Sequence, residues 1–411
     1  MTLRLADINL SDLDFWSRPM TEREEAFALL RAQPGPVHFP ETAFGGLPSD
    51  GRGYYAMVRH ADIVAASRRP EVFSSGKGAT TIADLPTEFN EYFGSMINMD
   101  DPRHARLRRI VSRSFTPKMI QKFEDDVRAV ASRVVDELIE LGPGRDFVTE
   151  VAAKLPLRII CDMMGIGPEH HQMVFESTNV ILSGGDPEFV EDLNELATLL
   201  LTHAQRLQDL VTSLAQEPGE GLIKALTSAN IDGEKLTMQE LGSFFILLVV
   251  AGNETTRNAI AHGLHLFTEN PEQRELLLAD FDGRIGGAVE EIVRVASPVA
   301  WMRRTLTRDY ELNGTPYKEG DKVLLYYWAA NRDEDVFTDP YRFDILRDPN
   351  PHVGFGGPGP HFCLGAHLAR REITVMFREL FTRLPRIRSV GEPSRLRSSF
   401  INGIKHLTCE F

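Results

Sequence analysis

The sequence holds only three cysteines among 411 residues, Cys161, Cys363 and Cys409, and they lie far apart. Three scattered cysteines do not build a disulfide framework, so a reducing, cytoplasmic setting is favoured. Basic residues are also scarce, since 45 Lys and Arg stand against 59 Asp and Glu and the formal net charge is -14. A nucleic-acid-binding protein needs a basic face, so this balance argues against one.

Long apolar runs are missing as well. The longest is "FFILLVVAG", residues 244–252, which is well short of the ~20 residues that cross a bilayer. The first residues, "MTLRLADINLSDLDFW", carry acids early and have no apolar stretch typical of a signal peptide. We therefore expect no transmembrane anchor. No repeat or polar linker divides the chain, so we expect one domain over residues 1–411.

Helix signals cover most of the chain. Thr21 and Glu24 form a capping-box pattern, in which each side chain would bond the other residue's backbone N–H. Thr116-Pro117 combines a favoured N-cap with a favoured first-turn proline. The sequence predicts helices from these two starts and over residues 237–268, 286–295 and 366–384.

Strand signals are few and short. "YYAMV" near Tyr54 and "KVLLYYWA" from Lys322 are rich in aromatic and β-branched residues. "YELNG" near Tyr310 fits a hairpin arm with Asn313-Gly314 as its turn. The predicted fold class is therefore mainly α, with small β-sheets.

One cysteine lies in an unusual stretch, "GFGGPGPHFCLGAHLARRE", residues 354–372. Gly359 and Gly365 lack a Cβ, which would let the backbone approach Cys363 closely. The segment after Gly365 is helix-forming, so Cys363 lies at a helix N-terminus. There, free N–H groups and the positive end of the helix dipole lower the pKa of a thiol. A thiolate held in this way suits a cysteine that ligates a large flat cofactor.

The residues around Cys363 leave other interpretations open. A lone cysteine in a glycine-rich loop can be a small buried apolar residue. A zinc site could use Cys363 with His361 and His367. A catalytic nucleophile could take one of these histidines as its base.

The run "FGGPGPHFCLG" closely resembles the haem-binding signature of the cytochrome P450 family. The resemblance implies the cytochrome P450 fold, with haem b between a long central helix and the cysteine loop with its helix. It implies that Cys363 is the axial ligand of the haem iron. It also implies that Phe355, Gly359, His361 and Gly365 bind the cofactor, although Phe355 and Cys363 are one residue further apart than is usual.

The segment "EEIVR" supplies a second match to that family, Glu291 and Arg294. At a spacing of three residues, both side chains share one helix face and can form an ion pair. The resemblance implies a buried network that locks the loop under the haem. Its third member would be Arg342 or Arg347 from "YRFDILR".

The segment "AGNETTRNAI" matches the family's oxygen-activation motif through Ala251, Gly252, Glu254 and Thr255. The resemblance implies that Gly252 leaves room beside the haem. It further implies that Thr255 hydrogen-bonds dioxygen there and that Glu254 relays protons through water. For an isolated threonine, a hydrogen bond back to its own helix is the alternative.

The segment "DPRHARLRR" places His104 and Arg108 on one helix face. Alone, this pattern is a solvated basic stripe. The resemblance implies that both residues hold a haem propionate, where charge-assisted hydrogen bonds are strong. Arg304 of "WMRRTL" and His361 would complete the clamp, in preference to Arg303.

The resemblance covers nearly the whole chain and is strongest to actinobacterial ω-hydroxylases of methyl-branched lipids and cholesterol side chains. It implies a monooxygenase that inserts one oxygen atom of O2 into a terminal C–H bond. An apolar channel must then hold that methyl over the iron. Candidate wall residues are Ile97, Met99, Val250, Ala251, Val299, Phe400 and Ile401.

The resemblance also implies external electron donors, a ferredoxin and an NAD(P)H-dependent ferredoxin reductase. A local basic patch for an acidic ferredoxin would comprise Arg109, Arg113, Lys118, Arg370 and Arg371. Three alternatives stay open. They are a cytochrome P450 for another apolar substrate such as a fatty acid, terpenoid or macrolide, a peroxide-driven peroxygenase, and a non-enzymatic haem- or lipid-binding protein.

Overall fold

The computed structural model of the chain describes residues 3–41, 51–112, 115, 124–183, 185–217, 221–228 and 235–411. The predicted start at Thr116-Pro117 lies outside these residues. The described helices are α1 Met20–Arg31, α2 His60–Ser67, α3 Thr87–Gly94, α4 Arg103–Ser112, α5 Glu124–Leu141, α6 Lys154–Met164, α7 His171–Leu182, α8 Leu196–Gln216, α9 Leu222–Ser228, α10 Met238–Glu269, α11 Pro271–Ala279, α12 Phe281–Ala296, α13 Tyr327–Ala330 and α14 Ala366–Arg383.

Small sheets accompany the helices. The strands are β1 Val37–Phe39, β2 Tyr54–Met57, β3 Phe73–Ser74, β4 Arg145–Asp146, β5 Met302–Leu306, β6 Tyr310–Leu312, β7 Thr315–Tyr317, β8 Lys322–Leu325, β9 Arg388–Arg395 and β10 Ile404–Glu410. Their orders are β1-β2-β8-β5-β3, β4-β10-β9 and β6-β7. In the five-stranded sheet β2 and β8 are parallel, while the other pairs are antiparallel. This sheet therefore joins early and late segments of the chain.

Helix α10 runs through the centre of the helical part. Its N-cap Thr237 accepts the N–H of Glu240 (3.1 Å), and the Glu240 carboxylate accepts the N–H of Thr237 (2.8 Å). The helix is 32 residues long and packs against α3, α6, α7, α8, α12 and α14. A helix with apolar residues on most faces needs such enclosure. No helix in the described ranges is long and apolar enough to cross a membrane.

Several sequence predictions are confirmed. The long helix predicted over 237–268 is α10, and the helix predicted over 366–384 is α14. The predicted hairpin pairs β6 with β7, and its turn residues Asn313 and Gly314 both have positive φ (49° and 81°). That geometry is the one an Asn-Gly turn favours.

Three local predictions differ from the structure. The capping box of Thr21 and Glu24 is wrong, because α1 already begins at Met20 after Pro19 and has no side-chain cap. Helix α12 begins at Phe281 instead of 286, because Asp280 caps it by accepting the N–H of Gly283 (3.1 Å). The strand from Lys322 ends at Leu325, and its aromatic continuation forms α13.

Candidate active site

Cys363 faces a cavity of about 230 Å³, here called the cysteine cavity. Its backbone N–H donates to the Phe355 carbonyl (2.9 Å) and closes the loop just before α14. Although Cys363 is exposed, the protein atoms packed around its sulfur raise the pKa of the thiol by desolvation, and the N–H groups of Gly365 and Ala366, which donate to the sulfur, offset only part of this. The sequence predicts a lowered thiol pKa from the helix N-terminus alone, and in the structure the opposing effect of desolvation is larger. A bound metal ion would deprotonate such a thiol outright.

The other loop residues divide into two groups. Phe355 and Gly365 line the cysteine cavity, and the Phe355 ring packs under the Arg370 guanidinium (4.3 Å). Gly359 does not line it. A Cβ on Gly359 would collide with the backbone carbonyl of Ser67 in α2. The structure thus gives Gly359 a role in packing the loop against α2 instead of a place beside the sulfur.

Four basic side chains gather at the cysteine cavity: His104, Arg108, Arg304 and His361. The rings of His104 and His361 lie 4.2 Å apart, and Arg108 donates to the Phe362 carbonyl (2.6 Å). Arg304 donates to the Arg303 carbonyl (2.7 Å). Burial, followed by the charge of Arg304, lowers the pKa of His361 to about 2. Burial also lowers the pKa of His104.

Unmet hydrogen-bonding capacity indicates what this cluster can hold. His104 is 2% exposed, its Nδ1 contacts Asp101 (3.2 Å), and its Nε2 has no partner among the residues that the structure describes. Arg303 points the other way and pairs with Asp84, as strand alternation requires for neighbours in β5. The four cavity-facing groups can therefore take up an anion such as a cofactor carboxylate. No three His, Cys, Asp or Glu side chains gather as metal ligands in the described residues.

Helix α10 borders the cysteine cavity with Ala251, Gly252 and Thr255. The Thr255 hydroxyl donates to the Ala251 carbonyl (2.8 Å), which is the back-bonded arrangement that the sequence left as an alternative. Its oxygen can still accept a hydrogen bond from the cavity. A Cβ on Gly252 would make only ordinary contact with Ile160 (3.5 Å), so glycine is not forced by the neighbouring protein atoms.

Glu254 lies on a different side of α10 and lines neither large cavity. It is 1% exposed and pairs with Arg257, while Asn258 donates to its Oε1 (2.9 Å). Its Oε2 has no hydrogen-bond partner within the described part of the chain. Arg257 also donates to Asn179 (2.7 Å) in α7. The sequence analysis did not identify Arg257 and Asn258 as partners of Glu254, although a spacing of three and four residues on a helix indicates such contacts.

The Glu291 and Arg294 pair is fully buried in α12. Arg294 donates to both carboxylate oxygens at 2.7 Å, a bidentate geometry. Arg347 adds a third contact, from Nε to Glu291 (3.3 Å). Arg342 takes part through its carbonyl, which accepts from Arg294 (2.9 Å). Of the two candidates, Arg347 therefore supplies the side-chain partner.

A second cavity of about 310 Å³, here called the apolar cavity, adjoins the first. Ala251, Thr255 and Val299 line both. The predicted wall residues Ile97, Val250, Phe400 and Ile401 also line the apolar cavity. Met99 lines neither, because it is buried in the core and its backbone carbonyl faces the His361 ring. The sequence analysis missed wall residues from α3, α7 and α8: Phe89, Phe93, Ile181, Leu182, Leu196 and Leu200.

Glu372 is another residue that the sequence analysis missed. It lies in α14, is 3% exposed, lines the cysteine cavity and has an Oε2 with no partner. Burial raises the pKa of its carboxyl group to about 8. An acid on the buried stripe of an amphipathic helix is the sequence signal that would have found it.

The predicted basic patch is partly neutralised. Arg370 pairs with Glu290 (2.5 Å), and Arg371 pairs with Glu124. Arg113 and Lys118 lie outside the described residues. The positive charge available to a partner is therefore smaller than the sequence alone suggests.

Comparison with known proteins agrees with this arrangement. The profile described as cytochrome P450 matches residues 194–385. The methyl-branched lipid omega-hydroxylase of Mycobacterium tuberculosis is 51% identical, over 98% of this chain and 94% of that protein. The steroid C26-monooxygenase of Mycolicibacterium smegmatis is 39% identical, again over 98% and 94%.

Solved structures give the same result. A Mycobacterium marinum cytochrome P450 in complex with pseudoionone superimposes with a TM-score of 0.93, at 42% identity, over 98% of both chains. The shared fold, the cysteine loop and the near-full-length similarity lead to one conclusion. This chain belongs to the cytochrome P450 family and is a cytochrome P450 monooxygenase.

Proposed function

We propose that this enzyme hydroxylates the terminal methyl of a methyl-branched lipid or of a sterol side chain. The observation that carries the proposal is the apolar cavity, which shares Ala251, Thr255 and Val299 with the wall of the cysteine cavity. Its wall is mostly apolar, so a hydrocarbon chain gains by leaving water there. The two relatives named for methyl-branched lipids and for steroid C26 support this choice of substrate.

The residues of the cysteine cavity fit haem b. The Cys363 thiol and four basic groups line it, and among the described residues the His104 Nε2 has no hydrogen-bond partner. We assign Cys363 to the iron and His104, Arg108, Arg304 and His361 to the propionates. When bound, haem supplies the activation of dioxygen and the oxygen insertion into a C–H bond.

The chain's own residues would then position the substrate and manage protons. The wall around Val250, Val299 and Phe400 would hold the methyl at the junction of the cavities and exclude water. Thr255 would accept a hydrogen bond at that junction, while its own hydroxyl group donates to the Ala251 carbonyl. Glu254 would supply protons only through intervening water, since its carboxylate lines neither large cavity.

The proposal extends to the whole chain and its setting. Residues 1–411 would act as one domain, because the five-stranded sheet interleaves early strands with β5 and β8. Electrons would come from a ferredoxin and an NAD(P)H-dependent reductase, docking near Arg109, Arg370 and Arg371. The three free cysteines suit the cytoplasm.

A binding screen followed by product analysis tests the substrate. Methyl-branched fatty acids, sterols and unbranched fatty acids would be titrated while the haem spectrum reports displacement of water from the iron. We expect the branched lipids or sterols to bind at least about tenfold more tightly than unbranched chains and to yield terminal alcohols. Equal affinities, or hydroxylation at internal carbons, would contradict the substrate assignment.

Two further experiments test the electron source and the role of Cys363. Turnover with ferredoxin, reductase and NAD(P)H should exceed turnover with hydrogen peroxide, whereas a peroxygenase gives the reverse order. The reduced, carbon-monoxide-treated protein should show the strongly red-shifted band of thiolate ligation, and Cys363→Ser should abolish it. If Cys363→Ser kept that band, the axial role of Cys363 would be wrong.

A further inference from the structure

Part of the wall of the apolar cavity is a segment without regular secondary structure. It comprises residues 80–85, between β3 and α3, and is here called the wall segment. Apart from Asp84, each of its residues lines the apolar cavity. Within the described part of the chain, no backbone–backbone hydrogen bond holds residues 80–85. The position of this wall therefore depends on side chains from other segments.

Arg303 holds the middle of the wall segment. It lies in β5 and is fully buried. Its Nη1 donates to the carbonyls of Ile82 (2.9 Å) and Ala83 (3.1 Å), and its Nη2 pairs with the carboxylate of Asp84. One guanidinium thus contacts three consecutive residues, because its N–H donors form a rigid planar fork.

A second buried cation contacts the same acid. The Nζ of Lys322, in β8, lies 2.8 Å from the Asp84 carboxylate and 2.7 Å from the Glu41 carboxylate. Lys322 is the partner of Thr305 in the pairing of β8 with β5, and the Thr305 hydroxyl accepts from Arg303 (3.0 Å). Residues two apart in a strand share a face, so one face of this sheet presents both cations to Asp84. Each cation needs its partner, since a buried unpaired charge is costly.

The neighbours of Arg303 in β5 border the cavities themselves. Met302 lines both cavities, and Arg304 lines the cysteine cavity. Arg303 lines neither, as alternation along a strand requires. Arg303 therefore ties the wall segment to the same strand that borders the cofactor site.

The two ends of the wall segment are held by other groups. Before it, the Ala79 carbonyl accepts the backbone N–H of Arg303 (2.8 Å), and the Ala79 N–H donates to the side-chain oxygen of Asn98 (2.8 Å). At its far end, the side-chain NH2 of Asn90 donates to the Leu85 carbonyl (3.0 Å). A change in the Arg303 side chain should therefore loosen the middle of the wall segment and leave its ends in place.

We propose that Arg303 determines which carbon of the substrate is hydroxylated, because it fixes the wall segment against which the hydrocarbon chain lies. The inference rests on the proposed function. An enzyme that attacks a terminal methyl must keep the internal C–H bonds of the same chain away from the reactive centre. A fixed wall limits how far the chain can slide or bend towards that centre. Arg303 acts through the wall segment and is a positioning residue.

Product analysis of Arg303→Lys tests the proposal. Wild type and variant, both full-length and haem-loaded, would oxidise one methyl-branched fatty acid with ferredoxin, reductase and NAD(P)H. Lysine keeps the charge, but one ammonium group does not reproduce the planar fork that reaches two carbonyls and a carboxylate. We expect the ratio of terminal to internal alcohols to fall about tenfold. The control Arg308→Lys changes an exposed arginine just after β5 and should keep the wild-type ratio.

Asp84→Asn provides a second variant in case Arg303→Lys does not fold, because the Asp84 side chain is 41% exposed. It keeps the shape of the side chain and removes the charge that both cations contact, so the ratio should fall about threefold. The matched control Asp309→Asn also removes an acid from an ion pair, that with Lys318 (2.7 Å), and Asp309 lines neither cavity. It should keep the wild-type ratio.

Titration of the haem spectrum gives a readout without turnover. Preference for methyl-branched over unbranched fatty acids, as a ratio of affinities, should fall in Arg303→Lys and Asp84→Asn and stay constant in the two controls. A lower Tm with an unchanged product ratio and an unchanged preference would mean that Arg303 is only structural, and would overturn the proposal. The wild-type products are a separate result. If they are mainly internal alcohols, the proposed function fails, and a product distribution that still differs in Arg303→Lys supports the role of Arg303.

Discussion

Glu291 and Glu372 are two buried acids on the adjacent helices α12 and α14, and their surroundings are opposite. Glu291 accepts from Arg294 and also from Arg347 (3.3 Å), Asn350 (3.1 Å) and the Asp344 N–H (2.9 Å). Glu372 leaves one oxygen without a partner, and burial raises its pKa to about 8. The fold thus compensates a buried carboxylate charge where that carboxylate fixes the chain, whereas beside the cofactor cavity it keeps a buried carboxyl group protonated.

The largest effect should come from breaking the compensated network. Glu291→Ala leaves Arg294 fully buried without its counter-charge, so the free energy of unfolding should fall by about 3–5 kcal/mol. Urea unfolding would measure the loss. The control Glu311→Ala removes an exposed acid on β6 and should change stability by less than about 0.5 kcal/mol. Equal losses in the two variants would contradict the structural importance of the pair.

Glu372 should instead make stability depend on pH. Its carboxyl pKa is about 8 when folded, against an ordinary value of 4.5. Between these two pH values the folded protein holds a proton that the unfolded chain releases. The contribution of Glu372 to the free energy of unfolding is therefore complete below pH 4.5 and is lost as pH rises towards 8. Glu372→Gln should remove this decline, which is about 1.4 kcal/mol for each pH unit between these two pKa values.

Urea unfolding at several pH values would check this prediction. Glu379→Gln, a substitution of a partly exposed acid on the same helix, is the matched control and should keep the wild-type decline. A decline of the same size in Glu372→Gln would show that another group is responsible.

Glu254 stands between the two extremes, because Arg257 pairs with it while its Oε2 stays unpaired. Glu254→Gln keeps the contact with Asn258 and removes the charge, so stability should fall by about 1–3 kcal/mol. A double-mutant cycle with Arg257→Gln would measure the coupling. Additive effects of the two substitutions would show that the pair contributes nothing beyond its separate parts.

Thr255 should show the smallest effect on stability and a clear effect on turnover. Its hydroxyl only returns a bond to its own helix, so Thr255→Ala should change the free energy of unfolding by less than about 0.5 kcal/mol. Product formed per NAD(P)H consumed should nevertheless fall about tenfold, with peroxide released instead. Thr255→Ser keeps the hydroxyl and should retain coupling. Full coupling in Thr255→Ala would refute the role proposed for Thr255.

Local features were predictable where a few neighbouring residues decide the outcome. Thr237 and Glu240 close a capping box at the start of α10, and Asn313-Gly314 turns the hairpin. Thr21 and Glu24 have the same pattern and form no cap, since Pro19 precedes a helix that has already begun at Met20. The same sequence pattern therefore forms a cap in one place and none in the other, because the residues that precede the helix differ.

The candidate site was likewise predictable only where short motifs decide the outcome. The cysteine loop, the α10 motif and the α12 ion pair were all found from short motifs. Their mutual distances were not, because β5, α4 and α14 meet only after the whole chain has packed. Met99 shows what short motifs do not predict. It follows the wall residue Ile97 by only two residues, yet its side chain is buried in the core.

The sequence by itself determined the thiol at a helix N-terminus, the paired Glu291 and Arg294, and the small residues before Thr255, because each depends on spacing within one segment. The tertiary structure decided which arginine reaches Glu291 and which side chains wall the apolar cavity. These outcomes depend on segments remote in the chain. The burial and charge that each side chain meets there exist only once those segments pack together.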